Sequence, residues 1–298
     1  MEYQSTIGSA VSFSGNGLHS GKPVTMTLLP APENHGIVFQ RIDLPDKTVI
    51  HACVHNVCDT SHSTTLTENG AVVRTIEHLM AALAGLAIDN VLIEIDSEET
   101  PILDGSSKIY VDFIQKVGIQ KQAVERQYYV FDKEIVYKKE KSDSFIMATP
   151  ALDFKIEIDV DYQTAVLGKQ STQLLDIKYF CKEFYDARTF VFLHELQFLI
   201  QHNLVRGGDV DNAVVFVAHK PEQAVLDQLA LFFNKKDIDI NENGTLNHNS
   251  LKYENEPARH KLLDLLGDLY LLGKPIKGHI KAFKPGHFIN TEFVKLFG

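Results

Sequence analysis

Cysteine is scarce in this chain. Cys53, Cys58 and Cys181 are odd in number and too few for a disulfide framework, so the fold must be held by burial. Basic residues are outnumbered: 29 Lys and Arg face 39 Asp and Glu, a net charge of −10. That balance excludes a general affinity for nucleic acid phosphates. No run approaches the roughly 18 apolar residues of a membrane span, so no stable membrane insertion is expected. The start MEYQSTIGSA carries neither the basic nor the apolar block of a secretory signal, and the expected location is cytoplasmic. Apolar material itself is ample. Hydrophobic residues make up 44% of the 298 and charged residues 23%, enough to bury a core and incompatible with disorder. The length allows one large domain or two ordinary ones. Histidine is generous, at 13 residues.

Short alternating runs at residues 24–29, 36–39 and 48–57 point to an antiparallel β start. Ile76, Leu79, Met80 and Leu83 then recur at helical spacing over residues 74–84, and Gly85 stops the helix. A strand over 90–95 and an amphipathic helix over 107–117 follow. Residues 118–126 (GIQKQAVER) turn polar and mark a domain boundary, which predicts an N-terminal α+β domain over 1–124 and a second over 125–298. The second half repeats the plan, with strands at 145–148 and 154–159, helices at 193–202 and 257–272, and a last strand at 276–282. His78-Leu-Met-Ala-Ala-Leu-Ala-Gly85 and His260-Lys-Leu-Leu-Asp-Leu-Leu-Gly267 align without gaps, each followed by a strand. Two Leu/Ala-rich helices can match by chance. Duplication instead predicts two similar layered α+β domains whose helices face each other, bringing His78 near His260.

His260 and Asp264 lie four apart on a helix and so share a face. Imidazole and carboxylate are ordinary zinc ligands, although such a pair is also common on helix surfaces. Asp264 interrupts an apolar run, where an unpaired carboxylate is costly without a partner or a metal. His78 would complete a His₂Asp set with a fourth position open, the mark of a catalytic site. Glu77 beside it suits a general base, or simply an acidic residue favoured by a helix N-terminus. A rival cluster, His51, Cys53 and His55 on one strand with Asp59 beyond, lacks a standard spacing and reads better as a polar strand face. His287 stands in a turn after the last strand. Asp268, four residues past Asp264, is placed to orient that imidazole and keep it cationic.

These residues fall in motifs that occur in one family's order: Val73-Arg-Thr-Ile-Glu-His-Leu79, Ile102-Leu-Asp-Gly-Ser106, Ala187-Arg-Thr-Phe190, Arg206-Gly-Gly-Asp-Val-Asp-Asn212, Arg259 to Asp268, and Lys284-Pro-Gly-His287. With the opening Gly15-Asn-Gly-Leu-His-Ser-Gly-Lys22, the whole chain resembles the UDP-3-O-acyl-N-acetylglucosamine deacetylases, zinc enzymes that commit bacteria to lipid A synthesis. The resemblance implies one zinc per chain on His78, His260 and Asp264, though iron(II) accepts the same ligands. It implies Glu77 as general base and His287, oriented by Asp268, as electrostatic partner or general acid. Thr189 would steady the carbonyl oxygen, and Lys261 and Lys284 would meet the nucleotide phosphates. It also implies a small insert in each domain. The second, about 190–215, would line an acyl passage with Phe190, Phe192, Leu193, Leu196, Phe198, Leu199 and Ile200, half of which serve equally well as helix core. His62 lies in a stretch that varies in the family and is expected only to line the cleft. The substrate would be an acylated UDP-sugar. Some members continue into a fused acyl-carrier-protein dehydratase domain, which this chain would then accompany. Two other classes share parts of the pattern: a zinc amidohydrolase for another N-acyl substrate, and a non-catalytic sugar-nucleotide or lipid-binding module.

Overall fold

The computed structural model describes residues 2–246 and 250–298. The first half contains β1 (Tyr3–Ile7), β2 (Val11–Asn16), β3 (Pro23–Pro30), β4 (Ile37–Arg41), β5 (Val49–His51), β6 (Val57–Asp59), β7 (Thr65–Glu68), β8 (Ala71–Val73), α1 (Glu77–Gly85), β9 (Val91–Ile95), α2 (Lys108–Val117) and β10 (Ile119–Glu125). Alternation makes its main sheet. Phe13, Met26 and Leu28 turn inward, while Ser12 and Ser14 meet Thr27 and Thr25 on the outer face. The strand order is β2-β3-β9-β4-β5, with β4 and β9 parallel and every other pair antiparallel.

The second half contains β11 (Tyr129–Val130), β12 (Ile135–Lys138), β13 (Phe145–Thr149), β14 (Phe154–Asp161), β15 (Lys169–Leu174), α3 (Phe180–Glu183), β16 (Phe190–Phe192), α4 (Leu193–Gln201), β17 (Val214–Phe216), α5 (Gln223–Phe232), α6 (Glu256–Leu269), β18 (Ile276–Phe283) and α7 (His287–Val294). Its sheet runs β12-β13-β18-β14-β15 with β14 and β18 parallel, and the short β11 adds a second parallel partner for β18. The two sheets therefore share one strand permutation and one pattern of directions. Each has its helix, α1 or α6, just before the central strand, as duplication requires.

Both helices lie in the core between the sheets. Every residue of α1 from Glu77 to Ala84 is buried, as are Leu262, Leu263, Leu265 and Leu266 on α6. Burying one such leucine is worth about 2 kcal/mol. The helices touch backbone to backbone: a Cβ added to Gly267 would fall 2.2 Å from the Glu77 carbonyl oxygen, so only glycine fits. Each half carries an insert. The first is the meander β6-β7-β8; the second holds the parallel pair β16-β17 with α4 and α5.

Three sequence expectations need correction. The polar boundary stretch 118–126 is itself largely a strand: β10 pairs antiparallel with β1, and Gln122 bonds Ala31 and Asn90. The run 48–57 breaks at a 3₁₀ turn over Val54–Asn56, which takes His55 off the strand that carries His51. The second insert does not end at Val215: α5 and residues up to Leu246 complete its separate core. Among the described residues no helix is long and apolar enough to cross a membrane.

Candidate metal centre

The close crossing of α1 and α6 sets three side chains against one another. His78, the second residue of α1, comes edge-on to His260, with ring centroids 5.0 Å apart. Asp264 stands one turn further along α6, its Oδ1 lying 3.3 Å from His260 Nε2 and 3.7 Å from His78 Nε2. Among the described residues these are the one group of three whose ligand atoms all lie within 4.8 Å. Ser107 donates to the His78 carbonyl (2.7 Å), and His260 Nδ1 donates to the Ala187 carbonyl (3.0 Å). A carbonyl only accepts, so His260 presents a bare Nε2 lone pair to Asp264.

Asp264 Oδ1 is buried without a hydrogen-bond partner, while Oδ2 accepts from Lys261 Nζ at 2.9 Å. Burial opposes charge on Asp264, but His260, Lys261, His287 and His78 outweigh it and hold the carboxyl well below its usual range. Burial, reinforced by His260, pushes His78 down to about 3; burial also lowers His260 against the pull of Asp264. Two neutral imidazoles and an ionised carboxylate thus turn lone pairs toward one point with no proton to share. A divalent cation resolves that arrangement, and His₂Asp is a donor set that fits one.

Beside this cluster is an acid–base pair. Glu77, the first residue of α1, accepts from the Thr64 amide (3.0 Å), and its Oε1 lies 3.8 Å from His287 Nε2. His287 begins α7 and bonds Asp268 Oδ2 through Nδ1 at 2.9 Å. Asp268 is fully buried and also accepts from Thr64 Oγ1 (2.5 Å) and Asn290 Nδ2 (2.8 Å). Burial raises Glu77 to about 7, opposed by the His287 charge. For His287 burial works against the charge, yet Asp268 and then Glu77 overcome it and lift the imidazole to about 9. The pair is a proton-accepting carboxylate beside a persistent cation.

A cleft of about 680 Å³ has walls that include the predicted His62, Lys261, Lys284 and His287 together with Val191 and Phe198. Phe190 stands edge-on to His260 at 6.3 Å, beneath the Lys261 ammonium. Thr189 ties the chain together here, its amide donating to Gly105 and its carbonyl accepting from Val214. Lys284 Nζ pairs with Asp143, and Lys261 is committed to Asp264 rather than swung free to the rim. Two apolar assignments change. Leu196 is buried with Leu193 and Leu226 in the insert's own core, and Phe192 packs against Val214 and Phe216; Phe198 and Leu199 reach the cleft instead. The rival cluster does not form: His51 pairs with Glu68, and His55 lies off that strand in the 3₁₀ turn. Sequence reasoning missed Thr64, Ala187, Ser107, Asn290 and the cleft-lining Lys139. Only Asn290, three residues after His287 at the start of a helix, left a readable spacing.

The family model for UDP-3-O-acyl N-acetylglycosamine deacetylases matches residues 4–234 and 234–297. The chain belongs to this family. The deacetylase match takes in both sheets, both inserts and every residue of the two clusters. The chain is 42% identical to the bifunctional enzyme LpxC/FabZ of Bacteroides thetaiotaomicron, with 98% of the chain and 63% of that protein covered. Its counterpart in Porphyromonas gingivalis is 41% identical over 99% of the chain and 64% of its own length. The chain therefore spans a little under two thirds of these bifunctional relatives. The UDP-3-O-acyl-N-acetylglucosamine deacetylase of Myxococcus xanthus is 39% identical over 98% of the chain and 85% of its own length.

Proposed function

We propose that the chain is a zinc-dependent hydrolase that removes the N-acetyl group of UDP-3-O-acyl-N-acetylglucosamine. The products are acetate and UDP-3-O-acyl-glucosamine, and the step is the committed one of lipid A biosynthesis. The reading rests on one observation: the unpartnered Asp264 Oδ1 and the His260 lone pair converge beside His78, next to the Glu77–His287 pair.

Zinc held by His78, His260 and Asp264 would supply a Lewis acid and make water acidic enough to lose a proton near neutrality. Glu77 takes that proton as the water oxygen attacks the acetamide carbon. His287, kept cationic by Asp268, faces the oxygen on which negative charge develops, and Thr189 is the second group assigned to steady it. The carbon–nitrogen bond then breaks, and Glu77 returns its proton to the departing amine. Lys261, Lys284 and Lys139 would meet the diphosphate, while Phe198, Leu199 and Val191 face the acyl chain. Lys261 has a second duty in neutralising Asp264. A fused dehydratase domain, as in the bifunctional relatives, would be a partner in the same polypeptide.

The test is metal analysis combined with acetate release from the acylated UDP-sugar. One zinc per chain and chelator-sensitive release are expected, with Glu77→Gln slowing release by about 10²–10⁴. Equal rates on unrelated N-acyl amides would favour a general amidohydrolase. Sugar-nucleotide binding without acetate release would favour a binding module.

A further inference from the structure

Two glycine-containing motifs, residues 15–22 and 206–212, take no part in the chemistry above, yet the fold presses them together. The Gly207 amide donates to the Leu18 carbonyl (3.0 Å), and His19 Nδ1 donates to the Leu204 carbonyl (2.9 Å). A Cβ on Gly207 would lie 2.1 Å from the Gly17 carbonyl oxygen, so no side chain fits between the loops. Leu18 adds its own side chain to the insert's core. The element that brings Val191 and Phe198 to the cleft is therefore tied to the first domain at this loop.

Glu99 holds the loop. It is completely buried, and among the described residues no Lys or Arg pairs with it; Lys22 goes to Glu98 instead. A buried carboxylate persists only if donors or cations compensate it. Here donors do so. Oε1 accepts from the His19 amide (2.9 Å) and Thr75 Oγ1 (3.1 Å), and Oε2 accepts from the Ser20 amide (2.8 Å). Thr75 is itself unusual, with φ at 58°, a left-handed conformation that a β-branched residue avoids. The bond to Glu99 and the Thr100 hydroxyl on its carbonyl (2.5 Å) keep it there. Two residues later comes Glu77, and then His78.

We propose that Glu99 is a positioning residue joining two parts of the site: it fixes the strained turn that aims Glu77 and His78, and through the His19 loop it latches the insert facing the acyl chain. The proposal rests on the deacetylase reading above. One carboxylate then governs both turnover and chain-length preference, which otherwise belong to separate elements.

The experiment compares Glu99→Gln and Thr75→Val in the metal-loaded protein. Hydrogen exchange is followed at residues 75–80 and 193–207, and kcat and KM are measured on long-acyl and non-acylated UDP-sugar. Glutamine keeps the shape but offers one acceptor oxygen and an NH₂, so at least one of the three donors meets another donor. Losing one hydrogen bond to a carboxylate should speed exchange in both segments about ten-fold or more, with the rest of the chain unchanged. Glu99→Gln should also lower kcat about ten-fold and erase the KM advantage of the long chain. Thr75→Val should lower kcat and speed exchange only at 75–80. Exchange that rises evenly through both sheets in Glu99→Gln would make Glu99 a general structural carboxylate and overturn the proposal. Unchanged exchange in the insert, or KM values that shift together, would overturn it too. If the wild type releases acetate from neither substrate, the deacetylase reading falls, and the exchange pattern alone still decides whether Glu99 joins the two segments.

Discussion

Asp268→Asn isolates the charge that keeps His287 protonated. Asparagine has the same shape; with its one oxygen kept toward His287 and Asn290, its NH₂ faces the Thr64 hydroxyl, which can accept, so the main loss is the negative charge 2.9 Å from His287 Nδ1. His287 stands at about 9 against an ordinary 6.5, and at 1.36 kcal/mol per unit that is about 3 kcal/mol favouring the imidazolium. With Asp268 neutral, burial opposes the charge and only Glu77 and then Asp264 support it, so His287 should titrate well below 9. The sign follows from a raised value: the stabilisation is complete below pH 6.5 and lost as pH climbs through about 9. The gap in melting temperature between wild type and variant should thus be widest below pH 6.5 and close toward pH 9. In kcat/KM profiles the basic limb should fall from about 9 toward the Glu77 limb near 7, so the bell narrows and its maximum drops. The His287 Cε1 proton, followed by NMR, reads the same change without turnover. A variant whose resonance and basic limb both remain near 9 would refute the pairing.

Other consequences are testable in parallel. His78→Ala, His260→Ala or Asp264→Ala should each weaken metal binding by several kcal/mol, whereas His51→Ala and Cys53→Ala should leave it intact, as measured by competition with a chelating indicator. Phe198→Asp, on an exposed cleft residue, should raise KM for long-acyl substrate alone; Leu196→Asp places a charge in the insert's core and should harm activity on acylated and non-acylated substrate alike. Lys284→Ala should raise KM with little change in kcat, but Lys261→Ala should also alter metal affinity because its ammonium neutralises Asp264. Gly267→Ala forces a methyl group onto the Glu77 carbonyl and should cost about 1–3 kcal/mol in thermal unfolding.

What could be read from the sequence depended on whether a residue announces its partner locally. The helix bearing His260 and Asp264 was legible because both donors repeat within one turn, and His78 because its helix matches that one without a gap. Strands β3, β4, β9, β14 and β18 showed through their alternation. β10 did not: it is an edge strand paired only with β1, mostly exposed, and so reads like a polar boundary. The face of α4 was ambiguous for another reason. Leu196 and Phe198 look alike in a helical pattern, and only α5 and residues 205–217, packing from one side, decide which is covered. Ala187 and Thr64 act through a backbone carbonyl, a backbone amide and a hydroxyl, groups any residue or many residues could supply, so nothing in the sequence marks them.

The matched strand orders carry one more implication. In the gapless register of the two central helices Ala82 occupies the place of Asp264, and Arg259 the place of Glu77. A perfectly symmetric ancestor, two identical halves meeting along this axis, would have put two copies of each group at the crossing: two carboxylates as ligands, or two bases, or none. This chain has divided the labour. One half contributes His78 and Glu77, and the other contributes His260, Asp264 and His287. On the proposed reading neither half alone carries the His78, His260 and Asp264 set, yet each keeps a complete sheet. Mixing the two halves as separate polypeptides should therefore restore metal binding only on association, which makes the metal a reporter of how the halves meet.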